Sequence, residues 1–301
     1  LMVQAARKYK RLVQMGNQRR SQPGIVEGMD KVLQGAIGTV RYARNWYSGQ
    51  RGSIGKGKKT PVPAWLDYEL WLGPAPWAPY TTARLVYPHW FHISDYSLGY
   101  VSGWGIHHID IAQWGNGTEL SGPVEVEGSA TFPYDDALCD NPLSWDTRMK
   151  YANGVDLIFT GAGPGFTGVR HGITFEGTDG WVWVNRGAID AEPKSLLTSK
   201  IGPEEIRLPK SPGHQRQFLD SMKSREPTVS NIDVAVRSKK EALVVYITAV
   251  IFSRTAITGV VEQVQPFRAL PGSLILHAYM QVVYMLAVSG MNRKKHKCQS
   301  N

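Results

Sequence analysis

The hydrophobic positions along the chain change their period several times, and each change predicts a new element. Apolar residues recur at helical spacing over residues 1–10, which predicts the end of a helix. The segment RLVQMG, residues 11–16, predicts a short buried strand that ends at a glycine. Helical periodicity returns over residues 23–34, and alternation over residues 39–48 predicts another strand.

Strand patterns dominate the middle of the chain, and helices flank them. A short helix is predicted within residues 66–80 and a longer one over residues 104–115. Two further helices are predicted at residues 213–224 and 233–250. The intervening strands are predicted at residues 123–132, 144–152, 154–160, 169–176 and 180–185, with a hairpin turn at Asn153-Gly154. Consecutive strands between helices predict an α+β fold with an open, mostly antiparallel sheet.

Composition and charge narrow the classes of partner. The chain has 301 residues and a formal net charge of +9, but its basic runs are scattered. No nucleic-acid-binding motif surrounds them, so we expect no nucleic-acid partner. The apolar segment at residues 273–290 approaches the length of a membrane span, yet His277 and Gln281 interrupt it, which favours a buried or aberrant segment over a membrane helix. Two cysteines exclude a disulfide framework.

The beginning of the chain suggests that a region precedes it. Residue 1 is Leu rather than Met, and the predicted strand at residues 11–16 has no earlier strand to pair with. A signal region is therefore expected to lie outside this sequence. Localisation, whether cytoplasmic or exported, stays open.

Two segments imitate phosphate-binding motifs. The segment GPGFTG, residues 163–168, matches the dinucleotide pattern, but strands rather than a helix are predicted on both sides of it. The segment GSIGKGKK, residues 52–59, approaches a P-loop, yet Lys59 stands where a Ser or Thr must hold magnesium. Neither is interpreted as a nucleotide site.

Titratable residues that could bind a metal are present but poorly spaced. They are His89, His92, Asp95, His107, His108 and Asp110. No H-E-x-x-H or C-x-x-C spacing occurs, so we expect no metal site.

The segment SGWGIHHIDIAQWG, residues 102–115, contains the strongest candidate chemistry. On a helix, His107 and Asp110 share a face, so the carboxylate could accept a hydrogen bond from the imidazole and fix its tautomer. Such a pair suits a general base. A histidine and an aspartate that only satisfy each other in the core would have the same spacing.

Five segments, in order, resemble the Gfo/Idh/MocA family of NAD(P)-dependent oxidoreductases. They are RLVQMGNQRRS (11–21), GAIGTVRYARNWY (35–47), LDYELWLGPAPWAPY (66–80), DYSLGYVSGWGIHHIDIAQWG (95–115) and HQRQFLDSMKSREP (214–227). The resemblance is to the branch with a W-G-x-H-H-x-D-I-A-Q-W signature and covers about residues 1–240.

The resemblance implies a domain organisation and a cofactor. Residues 1–18 resemble the remnant of a dinucleotide-binding Rossmann domain, and residues 19–252 resemble the substrate and oligomerisation domain. Residues 253–301 form a divergent tail, since the likeness fades from about residue 243; a gene-model artefact would have the same effect. The implied cofactor is NAD or NADP, with most of its site outside this chain, so the chain alone is expected to be inactive. A homo-oligomer through the sheet is also implied.

The resemblance also gives roles to individual residues. His107 matches the acid/base histidine of the family's D-x-x-x-H motif, but Gly103 stands at the aspartate position, and Asp110 is the proposed substitute. Gln18 and Arg19 are expected to approach the cofactor. The expected substrate-binding residues are Arg84, Trp90, His92, Asp95, Tyr96, Trp104, His108 and Asp110.

Three functions follow from this resemblance. The first is hydride transfer to or from a sugar, polyol or sugar derivative. The second is an NAD-dependent glycosidase, which would use the cofactor without net production of NADH. The third is a non-catalytic sugar-binding or oligomerisation module.

Overall fold

The structure, a computed structural model, describes residues 2–47, 53–134, 136–161, 171–199, 202, 204–205, 207–255 and 261–262, which belong to one compact unit. The α-helices are α1 (Met2–Lys8), α2 (Pro23–Leu33), α3 (Tyr68–Leu72), α4 (Thr82–Leu85), α5 (Gly99–Gly103), α6 (Gly105–Gly115), α7 (Ser195–Thr198), α8 (His214–Ser224) and α9 (Ile232–Thr255). Short 3-10 helices occupy Gln18–Ser21 and His89–His92. The strands are β1 (Val40–Tyr47), β2 (Glu125–Thr131), β3 (Ser144–Lys150), β4 (Asp156–Thr160), β5 (His171–Gly177), β6 (Trp181–Val184), β7 (Ile189–Glu192) and β8 (Val261–Glu262).

The strands form one open sheet in the order β7-β6-β5-β1-β4-β3-β2-β8. The pair β1–β4 is parallel, and the other neighbouring strands are antiparallel. Asn153 and Gly154 form the turn between β3 and β4, where Gly154 has a φ of 84°, which glycine adopts without strain. The predicted α+β fold with an open, mostly antiparallel sheet is therefore confirmed.

One face of the sheet carries the core. Strand β3 alternates between buried and exposed positions, as expected when only one face is covered. Helices α2, α6 and α9 pack on the covered face, and α6 lies over β1 and β5. A Cβ at Gly115 would lie 2.4 Å from Cζ of buried Phe175, so glycine lets the end of α6 approach the sheet closely. This contact fixes the position of the helix that carries the candidate site.

The other face of the sheet carries ion pairs. Arg44 Nε lies 2.6 Å from Oε1 of Glu176, and Arg148 Nη2 lies 2.5 Å from Oδ2 of Asp156. Such partly exposed pairs contribute little stability by themselves. The expectation of a homo-oligomer that uses the sheet stays a prediction.

Most predicted elements have counterparts in the structure, but the segment at residues 11–16 does not form the predicted strand. Gln14 makes a single antiparallel bridge with Asn231, and the residues on either side lie outside the sheet. An apolar run becomes a strand only when a neighbouring strand offers its backbone groups, and none of the described strands lies beside this segment. The sequence analysis also missed β7, which extends the edge of the sheet.

The described helices include none that is long and apolar enough to cross a membrane. The apolar segment at residues 273–290 and most of the expected C-terminal tail lie outside the described residues, as does the GPGFTG segment. The strands β4 and β5 flank that segment on either side. Within residues 53–66 the structure has no helix that could follow a P-loop.

A buried carboxyl on α9 makes the stability of the fold sensitive to pH. Glu241 is 6% exposed, its Oε2 has no hydrogen-bond partner among the described residues, and burial raises its pKa to about 8. The ordinary pKa of this group is 4.5, so unfolding releases a proton between these two values. The stability that the protonated group contributes is complete below about pH 4.5 and is lost as the pH rises towards 8.

We expect Glu241→Gln to be more stable than the wild type at pH 8 and to lose part of the decline with pH. Glutamine keeps the shape of the protonated group but cannot ionise. Thermal unfolding across this pH range measures the difference. Glu226→Gln, at an exposed position, is the matched control and should follow the wild type. Parallel pH profiles for Glu241→Gln and the wild type would contradict the assignment.

Candidate functional site

The indole of Trp104 lies at the centre of the candidate site, immediately before α6. It stacks on Tyr47 at 4.3 Å and on His108 at 5.8 Å between ring centroids, and His171 lies 5.1 Å away. Two guanidinium groups also approach this ring: Cζ of Arg19 lies 5.5 Å and Cζ of Arg186 lies 5.1 Å from its centroid. Cations are attracted to an aromatic face. Trp104 therefore gathers residues from four separate segments around one surface.

His107, in the first turn of α6, is half-buried beside this indole, with 6.3 Å between the ring centroids. Its Nδ1 is buried and has no hydrogen-bond partner among the described residues. Burial, reinforced by the charges of Arg19 and Arg186, lowers the pKa of His107 to about 4. The imidazole is therefore neutral at pH 7, and its unprotonated nitrogen can accept a hydrogen bond.

His108 occupies a different environment from its neighbour. Its side chain is fully buried between Trp104, Phe159 and His171. Burial and the charge of Arg19 lower the pKa of His108 well below its usual range. The position leaves its ring no exposed surface for the substrate contact that the sequence predicted. The structure packs His108 among aromatic rings, and the substrate contact at this residue stays a prediction.

The carboxylate of Asp110 has a different set of partners from the predicted one. Arg20 donates from Nε to Oδ2 at 2.7 Å and from Nη2 to Oδ1 at 2.8 Å, while Asn17 donates to Oδ2 and Ser238 to Oδ1. Asp110 is fully buried and makes no hydrogen bond with His107 in the described structure. The expected pairing with His107 is therefore not formed, and the expected substrate contact stays a prediction. Asp110 joins residues 17–20 to α6 and α9.

Arg19 and Gln18 lie on the 3-10 helix that precedes α2. Gln18 is half-buried, whereas Arg19 is fully buried, and none of its three side-chain nitrogens has a hydrogen-bond partner among the described residues. Burial and the nearby Arg186 lower the pKa of Arg19 to about 9, so it still carries its charge at pH 7. An unpaired buried cation costs free energy unless another group compensates it.

Four of the remaining predicted substrate residues lie at or beside a separate groove next to α3, and His92 does not. Trp90, Asp95 and Tyr96 line a groove of about 500 Å³, together with Trp71 and Leu85. Arg84 donates from Nη1 to the Tyr96 hydroxyl at 3.0 Å. The structure thus divides the predicted substrate residues between the groove and the Trp104 cluster.

His92 belongs neither to the groove beside α3 nor to the Trp104 cluster. Its side chain is fully buried and makes an edge-to-face contact with Tyr100, with 4.4 Å between the ring centroids. A substrate contact at His92, which the sequence predicted, would require this buried ring to become exposed.

Sequence reasoning missed three residues that approach the site. Arg186 lies in the turn between β6 and β7, and His171 is the first residue of β5. His214, at the start of α8, contributes to the lowered pKa of His107. Each is far from Trp104 along the chain, so no helical or strand spacing connects them. The only local signal was the turn pattern around Arg186.

Gly103, at the position where the family motif has an aspartate, is closely packed. A Cβ there would lie 1.9 Å from Cζ of Phe91. The ring of Phe91 occupies the space that an aspartate side chain would need, so only glycine fits at position 103 without a shift of this ring. Among the described residues, no group of three or more His, Cys, Asp or Glu is placed to hold a metal ion.

Comparison with known proteins identifies the class. The sequence matches the model of the Gfo/Idh/MocA oxidoreductase family, C-terminal alpha/beta domain, over residues 30–255. Because the match covers most of the chain, the protein belongs to this family, as its five sequence segments predicted. A search of curated proteins found no match.

Solved structures share the fold at low sequence identity. An aldose-aldose oxidoreductase from Caulobacter crescentus complexed with glycerol has a TM-score of 0.56 and 17% identity, over 87% of this chain and 67% of its own. An oxidoreductase from Thermotoga maritima has a TM-score of 0.52 and 14% identity, over 82% and 65%. The WlbA dehydrogenase from Bordetella pertussis, in complex with NADH and UDP-GlcNAcA, has a TM-score of 0.54 and 12% identity, over 82% and 64%. The chain spans about two thirds of the length of these structures.

Proposed function

We propose that the protein takes part in hydride transfer between a nicotinamide dinucleotide and a hydroxyl-bearing sugar, polyol or sugar derivative. The family is one of oxidoreductases, which supports the reaction class. The observation that carries the proposal is the half-buried, neutral imidazole of His107, which lies beside an indole and near the guanidinium of Arg19, which has no hydrogen-bond partner among the described residues. A group that accepts a proton next to an aromatic surface suits the oxidation of a bound carbinol.

Residues 17–20 are the proposed meeting point with the cofactor. When bound, the dinucleotide supplies or accepts the hydride. Gln18 and Arg19 would lie nearest to it, because both lie on the 3-10 helix at residues 18–21, on which Gln18 is only half-buried. The Bordetella pertussis structure that shares this fold was solved with NADH, which supports the cofactor class. The choice between NAD and NADP is left open.

His107 would hold or remove the proton of the reacting hydroxyl. Its pKa of about 4 keeps it neutral at pH 7, but a base of this strength is a weak proton acceptor. Two of the causes of the low pKa are the charges of Arg19 and Arg186. A ligand that pairs with these guanidinium groups would raise the pKa of His107 and make it a better base.

The groove beside α3 is the proposed site for the rest of the substrate. Trp90 and Tyr96 offer flat apolar surfaces, and Asp95 and Arg84 offer polar groups that could bind hydroxyls. A chain of ring contacts connects this groove with Trp104 through Phe91, Tyr100 and Tyr47. Substrate contacts in the groove stay predictions.

We expect His107→Ala to lower turnover by about a hundredfold or more, because the proton of the hydroxyl loses its acceptor. The assay uses the chain within its complete reading frame, with NAD or NADP and a panel of aldoses, polyols and inositols. Formation of reduced nicotinamide is followed, with the 301-residue chain alone measured in parallel; the chain alone is expected to be inactive.

His89→Ala is the matched control, since His89 lies on the 3-10 helix at residues 89–92 and takes no part in the Trp104 cluster. It should leave turnover unchanged. Equal turnover in His107→Ala and the wild type would overturn the role of His107. Release of the aglycone from an aryl glycoside without net reduced nicotinamide would indicate the glycosidase instead.

A further inference from the structure

The unpaired charge of Arg19 sets it apart from the other buried cation nearby. Arg20, the next residue, is also buried, but Asp110 and Glu119 neutralise it. Arg19 is fully buried, and its Nε, Nη1 and Nη2 have no hydrogen-bond partner among the described residues. A guanidinium has five N–H donors in a rigid fork, and leaving all of them unused in the interior is costly.

Arg186 adds a second positive charge at the same indole. It is exposed on the turn between β6 and β7, and its Cζ lies 5.1 Å from the centroid of Trp104. Its charge contributes to the lowered pKa of both Arg19 and His107. Two like charges that approach one ring repel each other, and a negative group bound near both would reduce this repulsion.

No carboxylate of the described residues forms an ion pair with either guanidinium. The charge of Asp110 raises the pKa of His107. Both oxygens of this carboxylate, however, already accept hydrogen bonds from Arg20, Asn17 and Ser238. The other described rings around the indole belong to Tyr47, His107, His108 and His171, and none of them carries a carboxylate.

We propose that Arg19 and Arg186 bind an oxyanion of the substrate, the carboxylate of a sugar acid, beside Trp104 and next to His107. The inference rests on the proposed function, because it assigns the charge of the substrate in that same site. A carboxylate matches the fork of a guanidinium with two parallel hydrogen bonds, whereas a neutral hydroxyl leaves the charge uncompensated.

The proposal is tested by binding, without cofactor or turnover. D-glucuronate, D-gluconate, D-glucose 6-phosphate and neutral D-glucose are the probes, titrated calorimetrically into the full 301-residue chain. We expect at least one sugar acid to bind about tenfold or more tightly than glucose, with an affinity that falls as salt is added. If D-glucose 6-phosphate binds most tightly, the oxyanion that this site binds is a phosphate rather than a carboxylate.

Two variants separate a binding role from a structural one. Arg186→Gln, at an exposed position, should fold normally and weaken binding of the sugar acid about tenfold or more. Arg19→Met should abolish the preference for the acid and raise the Tm of the unliganded chain by about 2–4 °C, because an unpaired buried charge is removed. Arg216→Gln, which removes an exposed arginine of α8, is the matched control and should change neither value.

The outcomes distinguish this inference from the proposed function. If no charged probe binds more tightly than glucose, or if both arginine variants keep the preference, the oxyanion site is overturned. Turnover of neutral polyols that depends on His107 would then leave the proposed function standing. Charge-selective binding that depends on the two arginines, without turnover of any acid, supports the oxyanion site and counts against the proposed reaction.

Discussion

Replacement of Asp110 with alanine should lower the free energy of unfolding by about 3–5 kcal/mol, because buried Arg20 loses two charge-assisted hydrogen bonds and keeps only its ion pair with Glu119. Arg20 is 3% exposed and donates two hydrogen bonds to this carboxylate. Asn17 and Ser238 would also lose their acceptor. Urea unfolding of the full chain, followed by circular dichroism and fluorescence, measures the change.

The exposed ion pair between Arg7 and Asp233 supplies the control. Its side chains are 71% and 49% exposed, so Asp233→Ala should cost less than about 1 kcal/mol. A loss in Asp110→Ala as small as this would mean that water reaches Arg20 and that the buried network does not hold residues 17–20. If Asp110→Ala retains the wild-type free energy of unfolding, Asp110 is not needed by Arg20 and becomes a candidate partner of His107 again.

Helical spacing predicts which residues share a face of a helix, but the example of Asp110 and His107 shows that it does not predict their hydrogen-bond partners. The sequence pattern predicted a helix at residues 104–115 and a strand at residues 144–152, close to the bounds of α6 and β3 in the structure. Both depend only on residues a few positions apart. The partner of Asp110 is Arg20, 90 residues earlier in the chain, so the choice between His107 and Arg20 depended on tertiary packing.

The same limit applies to the charges around Trp104. The sequence resemblance brought Arg19 and His107 into consideration, but Arg186 enters the cluster only because the β6–β7 turn reaches over the indole. The failed strand at residues 11–16 has a related cause. Its apolar residues were correctly noticed, yet strand formation depends on a neighbour that the segment itself does not specify.

Gly103→Asp should restore the carboxylate of the family motif at a cost of at least about 2 kcal/mol in the free energy of unfolding. The new Cβ would lie 1.9 Å from Cζ of Phe91, so the ring must move, and overpacking of this kind costs about 1–3 kcal/mol. Partial burial of the new carboxylate adds to the loss. Thermal and urea unfolding measure it, and Gly24→Asp, where no atom lies within 4 Å of the added Cβ, is the matched control.

A double variant then separates packing from chemistry. Phe91→Ala removes the clashing ring, so Gly103→Asp should destabilise the Phe91→Ala background less than it destabilises the wild type. A carboxylate near His107 would favour the imidazolium and raise the pKa of this histidine, which NMR titration of the imidazole measures. An equal cost of Gly103→Asp in both backgrounds would show that Phe91 is not the obstacle.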